Sequence, residues 1–314
     1  MKKFVKICMT LVVGLAALGA LLYGLGVITR GRDDMEALVD DITGGRVRLG
    51  LDMAEDFGIV FNNVDMLDIS TVSIFDPTHE IYTEDDQVVL EGNVVNLDIN
   101  IAGSSFEIMR SEDDTYYVEA KNTGRFQAYV EGDTLYVNVT RPSTLGLEFR
   151  NSQVTLYVPE GAAFGIVTLE LGAGQVTLED MDVRDLAVSL GAGQVEVYDV
   201  RAETLALEVG AGEANLEDIQ ATRAAVSVSA GHCYLEGDIT EWLSGECAAG
   251  NLEIVLSGSV QTDYHYKIVC AAGSIEVGED TYAGLSTERT IGSDEAARVM
   301  ELNCAAGSIK VEFD

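Results

Sequence analysis

Leu169-Glu170-Leu171-Gly172-Ala173-Gly174-Gln175-Val176-Thr177-Leu178 is answered 19 residues later by Val188-Ser189-Leu190-Gly191-Ala192-Gly193-Gln194-Val195-Glu196-Val197. The small tripeptide returns as Gly210-Ala211-Gly212, Ser229-Ala230-Gly231, Ala248-Ala249-Gly250, Ala271-Ala272-Gly273 and Ala305-Ala306-Gly307. Counted from its last glycine, the steps are 19, 19, 19, 19, 23 and 34 residues. Self-similarity at so short a period marks a solenoid, in which each turn buries its apolar face only against its neighbours.

The residues around the glycine set the turn's geometry. Two and four positions after it stand Val176 and Leu178, Val195 and Val197, Ala214 and Leu216, continuing to Ile309 and Val311. Three, five and seven positions before it the chain is mostly apolar too, from Leu171, Leu169 and Val167 to Cys304, Leu302 and Met300. Thr, Glu, Gln, Ser and Asn alternate with them. A period of two means strands with one buried face, and it rules out a helical-repeat solenoid. About 19 residues per coil accommodate two or three short strands, so the expected fold is all-β, a parallel β-solenoid. The glycine takes a tight bend between strands. Glu179-Asp180, Asp199 and Glu217-Asp218 mark a polar turn at the opposite corner. The two long steps add their residues there, at 255–265 and 278–299.

A fainter turn comes first: Leu97, Ile99 and Ile101 lead into Ala102-Gly103-Ser104, with Phe106 and Ile108 after it. Strands are expected at 115–120, 125–131, 133–140, 152–158 and 163–170. Gly132-Asp133 reads as a hairpin turn, so part of this section is antiparallel and caps the coil. The C-terminus stops on a repeat, Ile309, Val311 and Phe313, with no evident cap. An open last coil offers unpaired backbone groups, so an insertion or a partner is expected to cover it.

Residues 1–30 differ from the rest. Three lysines precede an uncharged apolar run from Ile7 to Ile28, long enough to cross a bilayer as a helix. A cleaved signal peptide would have a shorter apolar core. An uncleaved single-pass anchor is therefore expected over 1–30, followed by a juxtamembrane stalk with leading strands over 31–90 and a repeat domain over 91–314. Within the stalk a short helical stretch falls near 33–42. The lysine-bearing head is short and the repeat domain large and acidic, which places that domain outside the cell membrane. The formal charge of −34, from 53 Asp and Glu against 19 Lys and Arg, repels nucleic acid and favours basic partners.

Chemistry is sparse. No nucleophile–base motif surrounds His79, His232 or His265, and Gly-x-Ser-x-Gly, P-loop and His-Glu-x-x-His are absent. Carboxylates are too numerous for any catalytic pair to stand out. Cys247, Cys270 and Cys304 share one frame position and Cys233 another, each otherwise filled by aliphatics, so they read as core filler rather than a metal or disulfide ladder. Asp180, Asp199 and Asp218 line up at one corner, but the calcium β-roll needs an Asp where every turn here is apolar. No cofactor, no metal and no catalytic residue is expected. Arg184, Arg201 and Arg223 share that corner and are expected to pair with Asp185 or Glu203 or to be simply solvated. The expected contact surface is a set of outward residues: Tyr198 and Tyr234 with the acidic columns Glu217 beneath Glu236 and Glu253 near Glu276. An exposed aromatic strip that also takes in Trp242 and Tyr264 is one alternative, scattered surface aromatics being the ordinary case.

The run Val154-Thr155-Leu156-Tyr157-Val158-Pro159-Glu160-Gly161, leading into the glycine-punctuated repeats, resembles the bacterial putative-adhesin family, a β-strand-repeat domain of unknown function. The likeness covers roughly 90–314, although this chain has Gln175, Gln194 and Glu213 where the family is richer in Asp. The resemblance implies a membrane-tethered, non-catalytic binding or scaffold module, in some members beside envelope-stress signalling, and supplies no catalytic residues. Partners in keeping with it are the membrane itself, through the N-terminal helix, and an envelope protein, a cationic peptide or a polysaccharide. The rival reading is a carbohydrate-active β-helix enzyme.

Overall fold

A computed structural model describes residues 75–83, 87–112, 115–123, 125–140, 152–283, 287–293 and 296–314. All described regular structure is β apart from one 3-10 turn, Gln261–Asp263. The strands begin with β1 (Tyr82–Thr83), β2 (Gln87–Leu90), β3 (Asn96–Ile101), β4 (Ser104–Arg110), β5 (Tyr116–Lys121) and β6 (Arg125–Glu131). Next come β7 (Thr134–Thr140), β8 (Gln153–Val158), β9 (Ala163–Leu171), β10 (Gly174–Leu190), β11 (Gln194–Val209), β12 (Glu213–Val228) and β13 (His232–Cys247). The chain closes with β14 (Asn251–Leu256), β15 (Tyr264–Cys270), β16 (Ser274–Val277), β17 (Asp280–Ala283), β18 (Thr287–Ile291), β19 (Arg298–Cys304) and β20 (Ser308–Phe313). The expected anchor at 1–30 and the helical stretch near 33–42 lie outside the described residues. Among those that are described, no helix is long and apolar enough to cross a membrane.

The 19-residue frame is the stacking rule. Val176 pairs with Val195 and Val195 with Ala214, parallel and in register, and Leu186, Leu205 and Ala224 do the same on the arm before the next glycine. These side chains are essentially unexposed. The polar corner forms as the turn residues require: Asp180, Asp199 and Asp218 hold φ of 53°, 48° and 56°, a left-handed conformation Asp tolerates. Gly193 has φ 133°, and a Cβ there would strike the Gly174 carbonyl of the preceding coil. The ladder runs on through the glycine corner, with Gly191 N–H on Leu171 O at 2.8 Å and Ala192 N–H on Gly172 O at 2.9 Å.

Coil order does not follow chain order at either end. β3 and β4 stack directly on β9 and β10, while the later β7 and β8 pile outside them. The C-terminal end mirrors this. β19 lies between β13 and β15, and β20 between β14 and β16. The final repeat is therefore an inner coil: Ala305 N–H bonds Cys247 O at 2.9 Å and Ala271 N–H bonds Cys304 O at 2.9 Å.

That placement corrects the expectation that the last repeat is the open end of the stack, and of the two expected covers it is the insertion that is seen, over a different coil. The outermost coil is Tyr264–Val277, and the 278–297 insertion folds back over it, β18 antiparallel on β15 and β17 antiparallel on β16. At the other end the hairpin at Gly132 (φ 65°) sets β6 antiparallel on β7, while β5 lies antiparallel on β8 and β2 on β5. Short antiparallel strands thus blunt both ends of the stack. The shorter insertion is pinned at the polar corner by Arg298, which donates to Asp238 at 2.8 Å and to Ile239 O at 3.1 Å and lies over the Tyr264 ring.

Candidate binding surface

Each coil presents two broad outward faces. The arm after the glycine carries Tyr198, Glu217, Tyr234, Glu236, Glu253 and Glu276 on one of them, so the structure brings all six onto a single face. They do not stand as bare acidic columns. Asn215 donates to Glu217 at 2.7 Å and Tyr234 to Glu236 at 2.8 Å. That hydrogen bond, with burial, pushes the Tyr234 phenol up to about 12. Glu253 and Glu276 are not adjacent, contrary to the sequence expectation. Intercalated β20 puts Lys310 in register with both, 3.6 Å from Glu253 and 2.9 Å from Glu312. The terminal coil thereby separates like charges with a cation.

The alternative of an aromatic strip running through Trp242 and Tyr264 does not hold. Trp242 is 5% exposed and Tyr264 1%, so neither is available for surface contact. Arg223 lies over the Trp242 ring at 5.7 Å, whereas Arg184 pairs with Asp185 at 2.8 Å and Arg201 with Asp199 and Asp182 at 3.3 and 3.5 Å.

The arm before the glycine supplies the second face, which sequence reasoning missed. One outward column runs Asn100, Glu170, Ser189, Glu208, Ser227, Glu246, and its neighbour Thr168, Ala187, Ala206, Ala225, Ser244. A side chain pointing away from a solenoid core is ordinarily solvated, yet Ala187, Ser189, Ala206, Glu208 and Ser244 are all buried. The sequence carried a signal: the second of these columns is Ala at 187, 206 and 225 and Ser at 244, where the other face carries Glu, Gln and Tyr.

Glu208 is the chemical oddity there. It is 9% exposed, and among the described residues neither carboxylate oxygen has a hydrogen-bond partner. Burial, then the Glu246 charge, pushes its pKa from 4.5 up to about 7. A carboxyl protonated more readily folded than unfolded stabilises the fold at low pH. That contribution is fully present below 4.5, is lost as pH rises through about 7, and amounts to about 3 kcal/mol. Glu208→Gln should therefore leave stability near pH 4 almost unchanged and raise it at pH 8 by up to that amount. Urea midpoints across this range check it, and an undiminished pH slope in the variant would refute the assignment.

All four described cysteines are free and buried. Cys247, Cys304 and Cys270 stack in that order along one inner row. Burial raises Cys233 and Cys247 and pushes Cys304 up to about 11, as for thiols packed as hydrophobes. Among the described residues no cluster of His, Cys, Asp and Glu could hold a metal ion.

The family described as Toastrack DUF4097 matches the chain twice, over 94–238 and 163–312, the two matches sharing the central coils. Among solved structures, a putative adhesin from Bacteroides fragilis is similar at 16% identity and a TM-score of 0.40, covering 74% of this chain and 97% of that one. A putative cell adhesion protein from Clostridium sporogenes is similar at 12% and 0.33, covering 74% and 100%. A putative lipid binding protein from Parabacteroides distasonis stands at 14% and 0.34, covering 73% and 96%. No curated protein matches. With matches that together run from 94 to 312, well over half of its length, the chain belongs to the Toastrack DUF4097 family.

Proposed function

We propose that this protein is a membrane-anchored, extracytoplasmic, non-catalytic scaffold of the cell envelope, and that its outward post-glycine face is the contact surface for a basic partner. The observation that carries the reading is the contrast between the two faces. On the outer side of the arm before the glycine Ala187, Ser189, Ala206, Glu208 and Ser244 are buried, whereas Tyr198, Tyr234, Glu217, Glu236, Glu253 and Glu276 all remain partly open on a surface that repeats every coil. A surface repeating every ~4.8 Å suits an extended or multivalent partner, engaged by many weak contacts rather than at one point. With a net charge of −34, the partner met electrostatically is cationic, such as an envelope protein or a cationic peptide.

The test is binding of a nona-arginine peptide to the full chain, with a neutral dextran as the polysaccharide control. Affinity for the peptide should fall at least about tenfold between 50 and 300 mM salt, since the Debye length shrinks from about 14 Å to about 6 Å, close to the coil-to-coil spacing. Glu217→Gln, Glu236→Gln and Glu253→Gln should each weaken it about two- to threefold and combine roughly additively. Salt-independent binding, or complete loss at one position, overturns the reading, the latter in favour of the enzyme alternative.

A further inference from the structure

The outward column that carries Tyr198, Glu217 and Glu236 continues beyond the first clean repeat. Thr177 of β10 pairs with Glu107 of β4, so Glu179 and Met109, each two residues on, are the next outward positions. From Met109 the register runs to Tyr157, Tyr117 and Val89, across β8, β5 and β2. Val89 is 63% exposed and Met109 45%, and between them the Tyr117 and Tyr157 rings stack at 4.2 Å and 11°. Apolar side chains scattered singly over a surface need no explanation, whereas a contiguous outward row of them marks a place of contact. Here the row stands on a chain whose net charge is −34.

Past Met109 the column changes character, with Glu179, Tyr198, Glu217 and Glu236 following on β10 to β13. Carboxylates beside the apolar row are held locally: Glu119 by Lys121 at 2.8 Å, and Glu107 by Gln153 at 2.6 Å and Thr155 at 2.9 Å. The column is therefore apolar at one end and acidic at the other. We propose that the two stretches form one docking strip for an extended polypeptide segment with apolar or aromatic residues at one end and basic residues after them. The basic half of this proposal rests on the acidic-face reading; the apolar half and the lengthwise polarity of the partner go beyond it.

The lengths agree. From β2 through β5 and β8 to β4 is about 14 Å at ~4.8 Å per inter-strand step, the span of about four extended residues, and β10 to β13 is as far again. Charge chooses between a foreign segment and a second copy of this chain. Two copies meeting at the row would bring two acidic columns together, whereas a basic segment is attracted along the acidic half while its apolar end is withdrawn from water on the other.

Two peptides test it on the full chain: nona-arginine, and Leu-Tyr-Leu-Tyr placed ahead of the same nona-arginine. The headed peptide should bind at least about tenfold more tightly, and that ratio should change less than about twofold between 50 and 300 mM salt, because apolar burial is not screened. Val89→Thr combined with Met109→Gln, both at exposed positions, should bring the ratio close to one and leave the affinity for nona-arginine as it was. Glu217→Gln should weaken both peptides alike. A ratio near one in the wild type, or one that survives the double variant, overturns the proposal and leaves the acidic-face reading standing. Nona-arginine that does not bind at all overturns both. A wild-type chain that dimerises while the double variant stays monomeric also overturns the proposal, because the occupant of the row is then a second copy.

Discussion

Deleting residues 293–314 should do far more than trim the last repeat. In a solenoid stacked in chain order, removing the final coil breaks one interface and uncovers the coil before it. Here the final coil is internal, so its loss breaks two. β13 and β14 lose their neighbours on one side, and β15 and β16 are left with no parallel partner at all. Met300, Leu302, Ile309 and Val311, all but unexposed, leave the core together. At roughly 1.5–3 kcal/mol for each buried aliphatic, the deficit is about 6–12 kcal/mol, comparable with the whole stability of many domains. The expected result is selective. Residues 257–292 should become open to proteolysis and fast amide exchange, while β10 to β12, whose ladders are untouched, keep their protection. A truncated chain in which Tyr264–Val277 stays protected would show that β19 and β20 do not sit between those coils.

The intercalation shows where sequence reading stops. Strands, both corners, the hairpin at Gly132 and the inward rows follow from periodicity, because each depends on residues a few positions apart. Coil order does not. Cys270-Ala271-Ala272-Gly273-Ser274-Ile275 and Cys304-Ala305-Ala306-Gly307-Ser308-Ile309 are the same hexapeptide, so either would fit the same slot on the Gly250 coil. What separates them is the residue that follows, Glu276 in one and Lys310 in the other. Placing Lys310 between Glu253 and Glu276 relieves a repulsion that chain order would have left in place, and the insertion at 278–297 is long enough for the chain to return. That charge sequence was legible in principle, as was the run of Ala and Ser that distinguishes the buried face. The burial of Trp242 and Tyr264 was not, since both owe it to contacts with residues distant in sequence. Tyr198, Tyr234, Glu217, Glu236, Glu253 and Glu276 were legible as outward positions, because alternation fixes the face. The hydrogen bonds Asn215–Glu217 and Tyr234–Glu236 depend on side-chain geometry that alternation does not fix.

Replacing Val195 and Val197 together by lysine should abolish the folded module, whereas lysine at Gln194 and Glu196 should change stability by no more than about 1 kcal/mol. The four positions are consecutive on one strand and share its propensity, so only the face they occupy separates them. Val195 and Val197 are 0% exposed and stand in register between Val176 and Leu178 on one side and Ala214 and Leu216 on the other. Each lysine there forfeits the transfer free energy of a buried valine and either dehydrates an ammonium or forces the coils apart. Among the described residues no carboxylate reaches the inner rows to compensate, because the alternation that buries Val195 turns Glu196 outward. A helical bundle or a sheet solvated on both faces would not discriminate between the pairs in this way. Loss of the β-sheet circular dichroism signal in the first variant, with a normal urea transition in the second, is the expected outcome. Equal tolerance of both pairs would mean that the rows do not face a common dry interior. Because a solenoid coil touches only its neighbours, damage at β11 should also split the stack, leaving the two ends to lose exchange protection independently rather than in one step.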